Sequence, residues 1–399
     1  MTTARPPDTE RLSELGEPAD APLPASGAWR PGDPPGRRRF AELFADRPLG
    51  LELGGTLGGP GGPITVAYET WGTLNPAADN AVLVLHALTG DSHAAGPAGP
   101  GHHVPGWWDP MIGPTRPIDT DRWFVVCPNA LGGCQGTTGP ASPAADGRAL
   151  GSRFPTVTIR DQVAVEEALA DRLGIDAWAA VVGGSMGGMR VLEWAVGRPD
   201  RVRRMILLAC GAEASAEQIA LCAVQAAAIR LDPGFAGGDY YDAPPGRGPT
   251  AGMGLARRIG QITYRTRQEL DARFGRQPQA GEDPLADGRF AVQGYLDHQA
   301  DKLAQRFDAN SYLVLSRAMD HHDVGRGRGG AAAALGRVRA AATVVGIDSD
   351  RLYPLEEQEH LAALLPGRPA VDVVHSVIGH DGFLVEVDAV GQLVRRALP

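Results

Sequence analysis

A serine between glycines is the first residue of this sequence that could do chemistry. Ser185 stands in the run 183–187, Gly-Gly-Ser-Met-Gly, which fits the pattern Gly-x-Ser-x-Gly. Such a serine sits on a sharp turn between a buried strand and a helix, where its hydroxyl can attack an acyl carbon. Here an apolar run, 179–182, precedes it and an amphipathic segment follows. The alternative is a glycine-rich turn that binds a phosphate or only allows close packing.

A serine nucleophile needs a general base, and the base needs a carboxylate that orients it. On this kind of turn the chain order is serine, acid, histidine, with the acid after a late strand and the histidine after the last one. Asp350 follows the apolar run 342–347, and His380 follows the last predicted strand. We expect Asp348 to cap the turn, because Asp350 lies further beyond the strand. Ser185, Asp350 and His380 are therefore the predicted catalytic residues; the alternative for His380 is a structural loop histidine.

Two backbone amides are expected to hold the oxyanion that forms when a serine attacks an acyl group. The first is that of Met186, at the N-terminus of the helix after the serine. The second should come from the loop after an early strand. That loop reads His86-Ala87-Leu88-Thr89-Gly90, and we predict Leu88 as the donor. His86 is expected to be a hydrogen-bonded structural residue.

Composition excludes several classes of function. The 399 residues carry a net charge of −9 without a basic run, which argues against nucleic-acid binding. The sequence has neither an apolar stretch of the roughly 18 residues that a membrane span needs nor a secretion signal, so we predict a cytoplasmic protein. The four cysteines lack the spacing of metal ligands and are interpreted as reduced thiols. We predict no metal and no permanently bound cofactor.

The elements that must position these residues alternate between strand and helix. Continuous apolar runs at 81–85, 123–127 and 205–209 indicate strands buried on both faces. Thr158 opens a helix with a start that resembles a capping box. Residues 51–53 and 64–68 alternate and predict an antiparallel hairpin at a sheet edge. This pattern predicts an α/β fold with a mostly parallel sheet and helices on both faces.

The alternation stops in the middle of the chain. Helical patterns without buried strands cover the region from about Gly211 to Arg328, which predicts an inserted helical lid. Residues 1–40 contain few large apolar residues and predict a disordered tail. The predicted organisation is a tail at 1–40, a core at 41–210 and 331–399, and a lid at 211–330.

Several segments together resemble the homoserine O-acetyltransferases, a family of the α/β-hydrolase fold. The resemblance covers about residues 45–398 and implies transfer of an acetyl group from acetyl-CoA to L-homoserine in methionine biosynthesis. The family's triad falls on the three catalytic positions chosen above. The resemblance rests on 85–92 (LHALTGDS), 105–108 (PGWW), 129–140 (NALGGCQGTTGP), 183–190 (GGSMGGMR), 263–265 (TYR), 306–313 (RFDANSYL), 350–354 (DRLYP) and 379–383 (GHDGF).

The resemblance also implies two substrate-binding residues. The family's arginine in a lid helix of the form Leu-Ala-Arg matches Arg257, and its aspartate after the catalytic histidine matches Asp381. A guanidinium can pair with the carboxylate of homoserine, and an aspartate with its ammonium group. From the residues alone, Arg257 could equally belong to a solvated helix face beside Arg258. Asp381 could cap the last helix, a role compatible with binding.

One position bears on the acyl donor. Relatives that transfer succinyl groups carry an arginine two residues after the catalytic aspartate, where it can pair with the succinyl carboxylate. This chain has Leu352 there. An apolar side chain offers no such partner, so acetyl-CoA is favoured over succinyl-CoA.

The lid departs from the family in two stretches. Residues 219–225 read IALCAVQ where many relatives have FNEVQRQ, and residues 234–252 are longer and richer in Gly and Pro. The resemblance suggests a homodimer formed through the lid. The segment 219–229 is apolar nearly all round, which fits burial against a partner or packing within the chain.

The hypothesis is a ping-pong acyl transfer, with acetyl-CoA and L-homoserine as small-molecule substrates. Alternatives are homoserine O-succinyltransferase, transfer to serine or a larger alcohol, and a plain esterase or thioesterase with the same triad. A binding module that has lost its chemistry is the non-enzymatic alternative, and the complete triad argues against it.

Overall fold

An eight-stranded sheet forms the centre of the protein in a computed structural model that describes residues 22–398. The strands lie in the order β1-β2-β4-β3-β5-β6-β7-β8. Only β2 runs antiparallel to its neighbours β1 and β4, so the sheet is mostly parallel. The strands are β1 Arg39–Leu43, β2 Ile64–Trp71, β3 Ala81–Leu85, β4 Phe124–Pro128, β5 Ala180–Gly184, β6 Arg204–Leu208, β7 Ala341–Ile347 and β8 Val371–Val374.

Helices cover both faces of this sheet, as the sequence predicts. Alternate side chains of a strand point to opposite faces. Leu83 and Leu85 of β3 belong to a core that includes α1 and α2, whereas Val82 and Val84 belong to a second core that includes α11. The helices are α1 Ile159–Arg172, α2 Met186–Gly197, α3 Ala216–Leu231, α4 Thr250–Tyr264, α5 Arg267–Arg273, α6 Ala291–Ala304, α7 Ala309–Asp320, α8 Ala331–Leu335, α9 Leu355–Leu364, α10 Gly382–Val385 and α11 Val387–Ala397.

The start of α1 confirms the predicted capping box. The Asp161 amide donates to the Thr158 hydroxyl at 3.3 Å, and the Thr158 amide donates to the Asp161 carboxylate at 2.8 Å. Each side chain satisfies a backbone N–H that the first turn of a helix leaves without a partner.

The predicted hairpin between residues 51–53 and 64–68 is wrong, because residues 64–68 pair with a different strand. Gly54 and Gly55 both have positive φ and turn the chain at once, so Leu49–Gly50 and Thr56–Leu57 form only a two-residue ribbon. The strand next to β2 is β1, in which Ala41 and Leu43 are buried. The alternation of buried and exposed residues in β1 lies at the boundary of the predicted tail, where the sequence analysis assigned no strand.

The predicted tail is wrong for residues 22–40, while residues 1–21 lie outside the described part. The Gly27 amide donates to the Phe307 carbonyl at 3.1 Å, the Trp29 amide to Cys134 at 2.9 Å, and the Gly246 amide to the Leu23 carbonyl at 2.7 Å. This segment therefore packs against residues far away in the sequence, and its own composition does not reveal these partners.

A helical region interrupts the sheet between β6 and β7. Within the described chain, residues 209–340 contribute no strand to the sheet, and helices α3 to α8 occupy this stretch. The domain boundaries at 210 and 330 stay predictions. Among residues 22–398, no helix combines the length and apolar character that crossing a bilayer requires.

The close approach of α2 to β3 gives a first prediction. A Cβ added at Gly187 would lie 2.1 Å from the Leu85 carbonyl oxygen. Gly187→Ala should therefore force two backbones apart and lower the free energy of unfolding by roughly 2 kcal/mol or more, measured by urea denaturation.

Gly197→Ala, at the end of the same helix, is the matched control. Its Cβ would meet only Arg328 Nη2, at an ordinary 3.6 Å, and alanine favours helix over glycine. We expect unchanged or slightly increased stability. Equal unfolding midpoints for the two variants would contradict the importance of the close approach.

Candidate active site

Ser185 lies on the sharp turn between β5 and α2. Its backbone has φ 55° and ψ −125°, a strained conformation for a residue with a side chain. A Cβ on Gly183 would lie 2.6 Å from the Gly187 carbonyl carbon. The Ser185 amide donates to the Leu208 carbonyl of β6 at 3.0 Å, which ties the turn to the neighbouring strand. The glycines therefore allow the turn, and the turn presents the serine at the edge of the sheet.

His380 and Asp350 meet beside the end of the sheet. The Nδ1 nitrogen of His380 lies 2.6 Å from Oδ2 of Asp350. The Asp350 Oδ1 oxygen accepts from the amides of Leu352 at 2.8 Å and Tyr353 at 3.0 Å, which fixes the carboxylate. Asp348 is turned away and faces His375 at 2.8 Å. The contacts thus distinguish two aspartates that the sequence separates only by position.

The His380 ring is buried among aromatic side chains. Its centroid lies 5.1 Å from the Tyr353 ring, 5.5 Å from Phe383 and 5.9 Å from Tyr264. Burial alone would lower the pKa of His380, but the adjacent Asp350 carboxylate outweighs burial and raises this pKa above its usual range. The imidazole is therefore a stronger base than a free histidine, as proton abstraction from a serine requires.

A cavity of about 210 Å³ joins the predicted site residues. Ser185 and His380 line it together with Leu88, and Leu352, the position predicted to select the acyl donor, lines it too. Met186 is fully buried behind Ser185, where it begins α2 and leaves its amide without an acceptor inside the helix. The structure thus brings the nucleophile, the base and the two predicted oxyanion residues to one place.

Arg257 and its neighbour Arg258 have different surroundings. Arg258 donates from Nη2 to Asp297 at 2.7 Å. Arg257 lines the cavity, its Nε is buried without a hydrogen-bond partner among the described residues, and its guanidinium lies 5.6 Å from the Tyr264 ring centroid. Arg257 is therefore not part of a solvated face and can accept an anionic ligand.

Asp381 also lines the cavity, and its carboxylate already has a partner. Its Oδ2 lies 3.2 Å from Nη2 of Arg265, a residue that the sequence analysis missed. Asp381 stands at the N-cap position of α10, but its side chain makes no capping hydrogen bond. An ammonium group at this position would share the carboxylate with Arg265.

Two further residues in the site were assigned no role by the sequence analysis. Arg306 donates from Nη1 to the Thr89 carbonyl at 2.8 Å and so holds the loop that carries Leu88. Gln218 of α3 donates to the Leu352 carbonyl at 2.8 Å, which ties the helical region to the loop of Asp350. Arg306 begins the segment 306–313 that carries part of the resemblance, but polar residues near helix ends are usually solvated, so the sequence alone gives neither residue a role.

His86 is the structural residue that the sequence predicts. Its Nδ1 lies 2.8 Å from the Ala87 carbonyl, and the Ala130 amide donates to Nε2 at 3.0 Å. Complete burial, aided by Arg190, lowers the pKa of His86 to about 3, so the ring is neutral.

Three buried side chains of ligand type, Glu69, His93 and His102, lie close together. The two imidazole rings are stacked, with centroids 3.7 Å apart and planes at 10°. Ring lone pairs lie in the ring planes, so two parallel rings cannot direct them at one ion. The Arg37 amide also donates to His102 Nε2 at 3.0 Å. We interpret the group as hydrogen-bonded, and the absence of a metal and of a bound cofactor stays a prediction.

Comparison with known proteins agrees with this geometry. A family model described as alpha/beta hydrolase fold matches residues 80–386. A homoserine O-acetyltransferase of Thermobifida fusca is 62% identical over 377 residues, which cover 94% of this chain and 98% of that protein. A homoserine O-acetyltransferase of Mycobacterium tuberculosis is 58% identical over 335 residues, or 84% of this chain and 88% of that protein.

Solved structures similar to this chain include both a hydrolase and a transferase. Esterase E22 aligns with a TM-score of 0.80 and 28% identity over 91% of this chain and 99% of its own. The homoserine O-acetyltransferase from Bacillus anthracis aligns with a TM-score of 0.80 and 27% identity over 90% of this chain and 97% of its own. The backbone fold therefore does not distinguish hydrolysis from transfer.

The His380–Asp350 contact predicts a pH profile. Acyl transfer requires neutral His380, so activity should fall as the pH drops through its raised pKa, above the ordinary value of about 6.5. Asp350→Asn removes the carboxylate and leaves burial, which lowers the pKa. We expect a rate lower by roughly 10²–10⁴-fold and an acidic limb at lower pH, measured with an activated acetyl ester.

Asp348→Asn is the control, because Asp348 contacts His375 instead. In Asp348→Asn, the acidic limb of the pH profile should lie at the same pH as in the wild type. An Asp350→Asn profile with an unshifted limb would contradict the assignment of that limb to His380.

Proposed function

Since the chain belongs to the homoserine O-acetyltransferase family of α/β hydrolases, we propose that its site transfers an acetyl group from acetyl-CoA to the hydroxyl of L-homoserine. The products are O-acetyl-L-homoserine and CoA, and the step belongs to methionine biosynthesis. The observation that carries this proposal is the 62% identity to a homoserine O-acetyltransferase over 94% of this chain.

The first half-reaction acetylates the serine. His380 takes the Ser185 proton while the serine oxygen attacks the thioester carbon. The amides of Leu88 and Met186 stabilise the tetrahedral oxyanion. The carbon–sulfur bond then breaks, CoA leaves as a thiol with the proton from His380, and an acetyl ester remains on Ser185. The 2.6 Å contact with Asp350 stabilises the imidazolium that forms between these steps.

The second half-reaction transfers the acetyl group from Ser185 to the hydroxyl of homoserine. His380 takes the hydroxyl proton of homoserine, and the resulting oxygen nucleophile attacks the ester carbon. The bond to Ser185 breaks, and the serine oxygen recovers the proton from His380. The same two amides serve both half-reactions, because the charge develops on the same carbonyl oxygen.

Arg257 is the proposed partner of the homoserine carboxylate. Its guanidinium lines the cavity with a buried Nε that has no partner among the described residues. Asp381 is the proposed partner of the ammonium group, and the pairing with Arg265 keeps its carboxylate in position. Two opposite charges on one wall suit a zwitterion, whereas a simple ester needs neither.

Acetyl-CoA is the proposed donor. Leu352 lines the cavity with an apolar side chain, and the neighbouring Arg351 is turned away to donate to the Ile262 carbonyl. The cavity wall after Asp350 therefore offers no cation to a succinyl carboxylate. We also place the reaction in the cytoplasm, where acetyl-CoA and the substrate amino acid would both be available.

The direct test is release of CoA from acetyl-CoA and from succinyl-CoA, each with and without homoserine. We expect release with acetyl-CoA plus homoserine. In Arg257→Gln the KM for homoserine should rise roughly 10–100-fold, because a charge-assisted pair is lost, with the KM for acetyl-CoA unchanged.

The matched control is Arg258→Gln, since Arg258 pairs with Asp297 outside the cavity. It should stay within about twofold of the wild type in both KM values. Equal release without homoserine would mean a hydrolase, and preferred use of succinyl-CoA would overturn the donor assignment.

We further propose that the chain forms a homodimer through α3 and α4. Both helices expose large apolar side chains, which solvent does not favour. Their exposed fractions are 55% for Val224, 82% for Leu231, 48% for Leu255 and 45% for Ile262. This exposure favours the alternative of burial against a partner over packing within the chain.

Sedimentation velocity tests the dimer. Val224→Glu should shift the protein to the monomer, because a buried unpaired carboxylate is costly. Leu285→Glu is the control, at a side chain with 97% exposure outside α3 and α4. A monomeric wild type, or an unchanged dimer in Val224→Glu, would refute the proposal.

A further inference from the structure

A second cavity adjoins the catalytic one. Its volume is about 270 Å³, and it shares the wall formed by Thr89, Gly90, Trp107 and Arg306 with the catalytic cavity. None of the catalytic residues lines it. The second cavity therefore lies next to the place where a molecule would react at Ser185, and its lining residues differ in character from the catalytic ones.

Three residues that line the second cavity each have a side-chain nitrogen without a hydrogen-bond partner among the described residues. These nitrogens are Arg38 Nε, His93 Nε2 and Arg306 Nε, and all three are buried. Arg38 is 6% exposed and His93 is 2% exposed. Leaving a buried polar nitrogen unsatisfied costs free energy, so three such residues around one cavity favour a polar ligand over an apolar one.

The buried Arg38 and the half-buried Arg306 are held in place by other contacts. Arg38 donates from Nη1 to the Gly101 carbonyl and from Nη2 to Oε1 of Gln135, both at 2.7 Å. Gln135 in turn donates to the Arg306 carbonyl at 2.7 Å. The Arg306 guanidinium donates to the Thr89 carbonyl at 2.8 Å. Both guanidinium groups are thus held before a ligand arrives, which lowers the entropic cost of binding.

The charge of the cavity is positive. Arg38, Arg306 and Lys302 line it, against the single lining carboxylate of Asp91. Asp91 accepts the His93 amide at 2.7 Å and so is partly engaged. Lys302 is the only lysine in the sequence, among 38 lysines and arginines together. Two guanidinium groups and one ammonium group form a suitable environment for a phosphate.

We propose that this second cavity binds a phosphate group of the acyl donor. The thioester would lie in the catalytic cavity, and the anionic part of the same molecule would reach Arg38, Arg306 and Lys302. The proposal rests on the proposed function, because it takes a CoA thioester as the donor. A free phosphate ion has the same chemistry and is the competing source.

Kinetics with two donors test the assignment. Lys302→Gln should raise the KM for acetyl-CoA about tenfold, because one charge-assisted contact is lost. It should leave the KM for S-acetylpantetheine, which has no phosphate, within twofold. Arg267→Gln, an exposed arginine with a 93% accessible side chain, is the control and should change neither value. An equal effect on both donors, or none on acetyl-CoA, would overturn the proposal.

The single lysine permits a second measurement that needs no turnover. An amine-reactive reagent followed by peptide mass spectrometry reports the modification rate of Lys302. CoA should slow this rate at least fivefold, and the same concentration of inorganic phosphate should not. Equal protection by inorganic phosphate would assign the cavity to a free ion instead.

The turnover and labelling measurements distinguish failure of the phosphate site from failure of the proposed function. A wild type that releases no CoA with homoserine would refute the function, while protection of Lys302 by CoA would still be observable. Normal turnover without protection would refute only the phosphate site.

Discussion

The turn at Ser185 is the constraint on which the rest of the structure depends. The serine backbone adopts a strained conformation because β5 must reverse into α2 within one residue. That reversal is possible only where Gly183 and Gly187 let two backbones nearly touch. The neighbouring strands position the surrounding residues. The Leu208 carbonyl of β6 accepts a hydrogen bond from the Ser185 amide, and the loop after β3 brings Leu88 to the same cavity as Ser185. The position of Ser185 relative to Leu88 therefore follows from the placement of β5 between β3 and β6 in the sheet.

The remaining chemistry enters from segments far apart in the sequence. Asp350 and His380 follow two late strands, while Arg257 comes from the helical region that interrupts the sheet. Esterase E22 has the same backbone fold, so the sheet alone does not select the reaction. In the proposed function, the residues that follow the strands carry out acyl transfer and Arg257 of the helical region binds the amino-acid acceptor. On this proposal, the choice of acceptor depends on the helices that cover the sheet.

The sequence predicts well those features that rest on local pattern. Buried apolar runs identify the central strands. The chain order of serine, acid and histidine identifies Ser185 and His380, which line one cavity, and Asp350, which contacts His380. It fails where a contact depends on distant parts of the chain. Residues 22–40 look like a tail because their partners, such as Phe307, are hundreds of residues away. Arg265 and Arg306 are missed for the same reason: only folding places their charges beside Asp381 and Thr89.

The measurement that tests the central claim most directly is the mass of the protein after mixing with acetyl-CoA in the absence of homoserine. The account predicts a mass increase of one acetyl group, located on the peptide that contains Ser185, and its loss on addition of homoserine with formation of O-acetylhomoserine. Ser185→Ala should show neither change. Full turnover with acetyl-CoA and homoserine but no acetylated Ser185, or acetylation of another residue, would contradict the covalent mechanism.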